Sequence, residues 1–472
     1  MKFFKGLKDV LKNKQVVENE TEELNHFLEG LPDRDEEENR ETEIPPGEHI
    51  KTRSLWVVEA YTPTSFGNLQ AGLSKLGLLE FGISNLQQWI EQARQGSHQG
   101  WHNLGPIFPI NSNVPFGKKA ILPSGVRHLD GYVFQLLNSI TCVVLQFVFD
   151  EQTEQLLEVP MNKKYTTYIE KQGKVEVIMG PREQKQRAIL DIKKELRQKC
   201  YYWIKDNIPG FFSGGILDDH FPTCEFITLD KANPCNCAAS DGYLDLIGLN
   251  DPLGVWHSQG DLGLVLKTPL FGDSEFSNLI LAGNTFEILS DRELSFSGGR
   301  NTFGFTNWLS LGFTKVVCLW GLNMLLVAYE KKISKLRDSV ASLDLSDLKK
   351  SVRFIEELQK NLFIIENEFP YFAAEYRGFC ENERNFKRDV IDFKTTLGST
   401  NEEIYLFEMI RKTSLGRLAR LLKMLEDLRR AVTISSQTIN TKSNLRIQRS
   451  ILWLTVVLVV LTVVNILLLF FK

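Results

Sequence analysis

A chain of 472 residues with 43% hydrophobic and 24% charged side chains has the composition of a folded protein of two to three domains. Its formal net charge of −4 gives no electrostatic basis for binding nucleic acid. Seven Cys, an odd number scattered over the length, read as reduced thiols of a cytosol-like compartment and argue against a disulfide framework.

Residues 1–17 form a basic segment in which Phe3, Phe4, Leu7, Val10 and Leu11 share one helical face. Two readings stay open: a helix lying on an anionic membrane surface, or a solvated terminus. The segment lacks the unbroken apolar core and small-residue cleavage site of a secretory signal. Residues 18–50 are expected to be a disordered linker, because Glu18–Glu43 holds twelve acids and few large apolar residues to offset the ordering entropy.

A mixed α/β domain is predicted over 51–307. Ser54–Ala60 reads as a strand, followed by a helix carrying Leu69, Leu73, Leu76 and Leu79. Gly96–Gly125, rich in Gly, Pro and Asn, reads as a long loop, and Thr141–Phe149 as a buried strand. Arg182–Ile204 is an amphipathic helix, and short strands run from Phe226 to about Phe305. This order is not the regular alternation of a doubly wound fold.

His220, Cys224, Cys235 and Cys237 could supply four zinc ligands. The Cys-x-Cys spacing is tighter than the usual Cys-x-x-Cys, so the competing reading is unlinked thiols in a turn, with no cofactor. His98 and His102 lie four apart between glycines that break the helix needed to align them. There is no phosphate-binding glycine loop, no Gly-x-Ser-x-Gly elbow and no His-Glu-x-x-His, so catalysis is not expected. An enzyme would have its site in 151–307, where Asp218, Asp219 and His220 cluster.

A helical block is predicted over 308–400, in segments Leu309–Ala341, Ser346–Glu368 and Tyr371–Leu397. Leu309–Tyr329 is long enough to span a membrane, but it contains Lys315, Asn323 and two Gly and is read as a buried central helix. Gly398–Asn401 breaks the run, and Thr400 with Glu403 forms a capping box for the next helix. That stalk helix, 401–450, carries a heptad seam of Leu418, Leu425, Val432 and Ile439 with Leu421 and Leu428 between them. The seam either joins copies of the chain in a coiled coil, giving a homo-oligomer, or packs within one monomer.

Residues 451–471, from Ile451 through Trp453 to Phe471, have no charge, Pro or Gly and span about 31 Å as a helix, the thickness of a bilayer core. They are expected to anchor the chain as a single-pass transmembrane helix. Lys442, Arg446 and Arg449 before it, against Lys472 after it, put the bulk of the chain in the cytoplasm. Asn465 is expected to seek a partner in hydrocarbon, favouring helix association. The neck Ser435–Asn444 could present polar rings around a shared axis or be a solvated stalk.

The Leu55-Trp56-Val57-Val58 strand with its Leu-rich helix, the helical block from Trp308, and the stretch Gln437–Thr455 leading into the anchor together resemble the CorA-type magnesium transporters. The resemblance covers about 308–472, more faintly 54–150, and leaves 151–307 as an insertion. It implies a cytoplasmic α/β domain, helices that lead into a long stalk, and a stalk that continues into the membrane. The sequence departs from that family in lacking its Gly-Met-Asn signature and second transmembrane helix. The leading expectation is therefore a membrane-anchored sensor or scaffold for an unknown protein or small-molecule ligand. The alternative is a homo-oligomeric channel for a divalent cation with one membrane helix per subunit.

Overall fold

The computed structural model describes residues 31–79, 85–96, 99–115, 117–172, 175–214, 221–234, 242–249, 254–258, 263–269, 278–290, 302–343, 348–388, 390–397 and 402–470. A helix over residues 31–41 (α1) precedes strand β1 (Ile50–Tyr61) and helices α2 (Phe66–Lys75) and α3 (Leu86–Arg94). Strands β2 (Gly100–Pro109), β3 (Lys118–Ala120), β4 (Val126–Gln135) and β5 (Thr141–Phe149) follow. Short helices α4 (Glu151–Glu154) and α5 (Glu158–Asn162) lead to a ribbon of β6 (Tyr168–Gln172) and β7 (Val175–Met179), then to α6 (Pro181–Asn207). Next come β8 (Thr223–Leu229), α7 (Gly242–Leu246), β9 (Val255–Ser258), β10 (Leu264–Lys267), β11 (Asn278–Asn284) and α8 (Thr285–Ser290). The chain continues through α9 (Thr302–Ala341), α10 (Leu348–Glu381), α11 (Arg384–Lys387), β12 (Phe393–Leu397), β13 (Glu402–Tyr405) and α12 (Leu406–Phe470).

Among the described residues, eleven strands form one sheet in the order β13-β12-β9-β10-β11-β8-β1-β5-β4-β2-β3. Neighbours are antiparallel except β8 with β11 and β2 with β3. At the centre, β5 is buried at every position and β1 over its last eight residues, since helices cover both faces. On one face, Trp56 meets Phe313 of α9 edge-on, at 5.2 Å between ring centres. Gly321 lets α9 come close to β1: a Cβ there would lie 2.5 Å from Val58 Cγ1. On the other face Phe147 packs on Trp203 of α6, and the Glu225 carboxylate is held by Lys193 Nζ at 2.8 Å from the same helix.

The single sheet revises several expectations. Described parts of 151–307 share the sheet with 51–150, because β8 pairs directly with β1 at the sheet centre. The stretch 96–125 is not a long loop; it contains β2 and β3, and β2 tolerates its glycines through a register shift at Gly105, whose φ of 76° suits glycine. The expected linker is ordered over 31–50, while 18–30 lies outside the described residues. Its acids are used as hydrogen-bond acceptors. Asp35 receives Thr167 N and its hydroxyl, and the Glu48 carboxylate receives the amides of Asp230, Lys231 and Ala232. Net charge per residue therefore misjudged this segment: carboxylates with specific donors contribute to order even where apolar area is small.

The helical block also differs from its expected outline. Pro370 sits inside α10 rather than ending it. A proline there removes one hydrogen bond and costs about 3 kcal/mol. Phe369, Phe372 and Tyr376, all fully buried around it and joined to Tyr329 in a run of ring contacts, offset that cost. Residues 382–397 do not continue the helix: β12 and β13 form a hairpin whose connection, 398–401, lies outside the described residues. Glu403 therefore pairs with Lys394 across the hairpin at 2.6 Å instead of closing a capping box, and α12 begins at Leu406.

Candidate functional site

Helix α12 is 65 residues long, about 97 Å at 1.5 Å per residue. Its first half belongs to a three-helix body with α9 and α10. Arg417 meets Asn323, and Arg420 meets Glu330, so α9 runs parallel to α12. Tyr376 meets Ser414, Arg429 meets Glu366, and Gln359 meets Ser436, so α10 runs antiparallel. The C-terminal end of α9 and the N-terminal end of α10 consequently lie toward the apolar end of α12.

The heptad residues face into this body. Leu418 and Leu421 are fully buried, and Leu425, Leu428, Val432 and Ile439 are each at most 7% exposed. Leu418 to Val432 join the core shared with α9 and α10, and Ile439 clusters with Ile355 and Leu358 of α10. The seam is thus covered within one chain. A seven-residue repeat specifies an apolar stripe, not whose helix covers it.

Beyond Ile439 the helix leaves the body. Leu445 and Ile447 are half exposed, and the large apolar side chains from Ile451 to Ile466, Trp453 most of all, are 45–70% exposed. The contrast with α9 is direct. Both helices are apolar and long enough to cross a membrane, but the apolar window of α9 is 83% buried and that of α12 is entirely unburied. The expected buried central helix, Leu309–Tyr329, is therefore found, and among the described residues α12 alone carries an uncovered span. Thr455 and Thr462 donate to the carbonyls of Ile451 and Leu458 on the preceding turn, as Thr438 and Thr441 do in the neck. Those hydroxyls satisfy themselves along the helix. Asn465 lies on the exposed span, and Phe471 lies outside the described residues.

Beside the stem, α9 and α10 bound a cleft of about 440 Å³. Leu336, Phe354, Leu358, Ile364 and Ile365 line it, with Gly214 among its other lining residues. Lys332, Lys335, Ser339, Glu357 and Asn361 stand at its rim. Lys332 rests 3.7 Å over the Phe211 ring, and burial lowers its affinity for the proton despite the nearby Glu368.

The loop carrying Phe211 is held by a buried carboxylate. Glu59 on β1 accepts from the amides of Ala60, Phe212 and Ser213 at 2.9, 2.7 and 2.9 Å. Burial raises its pKa to about 7 against the opposing pull of these donors. The folded chain thus keeps a proton that the unfolded chain releases near pH 4.5. This contribution to stability is fully present below about pH 4.5 and lost as pH rises through about 7, a change of about 3 kcal/mol. Glu59→Gln should lower stability by about 1–3 kcal/mol through a mispaired amide and flatten that pH dependence. Denaturant midpoints at several pH values check this, and a slope identical in both proteins rules it out.

Of the four candidate zinc ligands only Cys224 is described; His220, Cys235 and Cys237 lie outside the described residues, as do Asp218 and Asp219. Cys224 is fully buried in β8 opposite Trp56, and burial pushes its thiol well above the ordinary value. Among the described residues no group of three or more His, Cys, Asp or Glu could hold a metal, and the five described cysteines are free. His98 is outside them too, and His102 packs beside Trp89. Sequence reasoning missed both Glu59 and the cleft. A lone acid in an apolar strand was the available signal for the first; the second exists only once α9 and α10 pair.

Compared with known protein families, with curated proteins and with solved structures, the chain matches none.

Proposed function

We propose that this protein is a non-enzymatic, membrane-anchored sensor or scaffold whose α/β sheet and three-helix body stand at the cytoplasmic face. One observation carries the reading: a single helix, α12, is part of the body's core up to Ile439 and a bare apolar span from Ile451. Any change in how α9 and α10 grip α12 acts on the same rod that enters the bilayer. The positive residues Lys442, Arg446 and Arg449 ahead of the span support the cytoplasmic orientation.

The order of sheet, helical hairpin and long helix supports a second reading, the single-anchor CorA-like cation channel. The covering of the heptad seam within one chain leaves that reading with the exposed span and Asn465 as its means of assembly. Purified protein in planar bilayers separates the two. The sensor reading expects no cation conductance, and reproducible divalent or monovalent currents from the pure protein overturn it. Orientation is tested by single-Cys labels at exposed positions of α1 such as Glu36. These should react with an impermeant maleimide only in opened cells; labelling in intact cells reverses the topology.

A further inference from the structure

The cleft between α9 and α10 adjoins a second, open depression of about 520 Å³ on the outer side of α9, lined by Lys331, Ser334, Lys335 and Ser339 among others. The two share Lys335 and Ser339. An apolar slot therefore opens directly onto a shelf bearing lysines and hydroxyls. The slot is within the usual size of small-molecule sites. Its rim carries Lys335 and Lys332, the latter also near Glu368, against Glu357, and the shelf adds Lys331 beside Asp338, which is itself paired with Arg337. The charge favours an anion, and the five apolar walls favour a hydrocarbon or aryl tail.

We propose that this cleft binds a soluble single-chain anionic amphiphile, such as a medium-chain carboxylate, with its tail on Leu336, Leu358 and Ile365 and its head at Lys332 and Lys335. A lipid still seated in the bilayer is the poorer occupant. Ile439 marks the height of the cleft floor on α12, and the twelve residues from there to Ile451 span about 18 Å. A tail reaching the cleft would have to leave the membrane. The cleft walls also touch the stem: Leu358 clusters with Ile439, the last residue of the buried seam, and Leu336 and Phe354 pack against the same cluster. Filling the slot tightens the last grip of the body on α12. Binding stands on the cleft alone; its transmission to the anchor rests on the sensor reading.

The test uses the full chain in zwitterionic phosphatidylcholine nanodiscs, with octanoate as probe and empty discs as blank. Titration should show saturable binding, and hydrogen exchange should slow in peptides covering 332–342, 354–365 and 436–446. Octan-1-ol should bind about tenfold more weakly, because it lacks the charge-assisted contacts. Lys332→Met with Lys335→Met should cost octanoate a similar factor. Ile364→Trp, a change at a partly exposed wall that leaves the buried core intact, should abolish binding by filling the slot. Equal binding of octanol, or wild-type affinity in either variant, overturns the assignment. So does the absence of saturable binding. Protection of the same peptides by phosphatidylglycerol discs without octanoate assigns the cleft to bilayer lipid and overturns it as well. Protection of 332–365 without 436–446 keeps the site and overturns the link to the stem.

Discussion

Replacing Leu421 and Leu425 by Asp should unfold the three-helix body rather than split a larger assembly into smaller species. Both side chains are buried in the core shared by α9, α10 and α12. Truncating one such leucine to Ala costs about 2–5 kcal/mol, and an unpaired buried carboxylate costs several more. Against a total stability of about 5–15 kcal/mol, the double change exceeds what the fold can absorb. Near-ultraviolet circular dichroism should lose its aromatic signal, because Tyr329, Phe369, Phe372 and Tyr376 line the same body. Leu421→Ala alone should lower the unfolding free energy by about 3 kcal/mol while the fold persists. A double variant that stays folded and sediments at half the mass or less would show that the seam works between chains.

The second large effect concerns the exposed span. Deleting Ile451–Lys472 should move a folded protein into the soluble fraction. The deleted side chains from Ile451 to Ile466 contribute little to the body, since α12 is buried only up to Ile439 and its apolar window is uncovered. Their transfer from water is worth about 1.5–3 kcal/mol for each large apolar side chain, so the span as a whole dominates membrane association. The truncated chain should keep the unfolding midpoint of its sheet and three-helix body. If it still pellets with membranes, either α9 enters the bilayer by leaving the sheet, or the basic segment Met1–Lys14 binds the surface. The first alternative would strip Trp56 and Val58 of their cover and abolish the unfolding transition, so the midpoint distinguishes the two.

Local sequence pattern was sufficient for elements whose environment is uniform along their length. Thr141–Phe149 is apolar at nearly every position because both faces of β5 are covered, and such a run has one reading as a strand. Arg182–Ile204 was legible for the same reason: α6 has one buried side and keeps it throughout. The span Ile451–Phe471 was the clearest of all, being apolar on every side for a full bilayer thickness. Elements whose fate depends on distant partners were not legible. Lys394-Thr-Thr-Leu397 is a strand because β9 offers an edge at Ser258 and His257, more than a hundred residues away. The helix at 31–41 forms because Thr167 and Tyr165 meet Asp35 and Asn39.

The sequence by itself determined that one stretch of this chain is long and apolar enough to cross a membrane and that a long helix with a seven-residue apolar stripe precedes it, since both follow from periodicity and hydropathy along a single helix. Only the tertiary structure decided who covers that stripe. Leu418, Leu421, Leu425 and Leu428 would suit a second copy of the chain as well as α9 and α10, and burial is non-directional. The choice fell to the helices tethered beside them, registered by Arg417 on Asn323 and Tyr376 on Ser414. The same pairing of α9 with α10 created the cleft and aimed its apolar floor at Ile439, a relation between residues some eighty positions apart that no local pattern encodes.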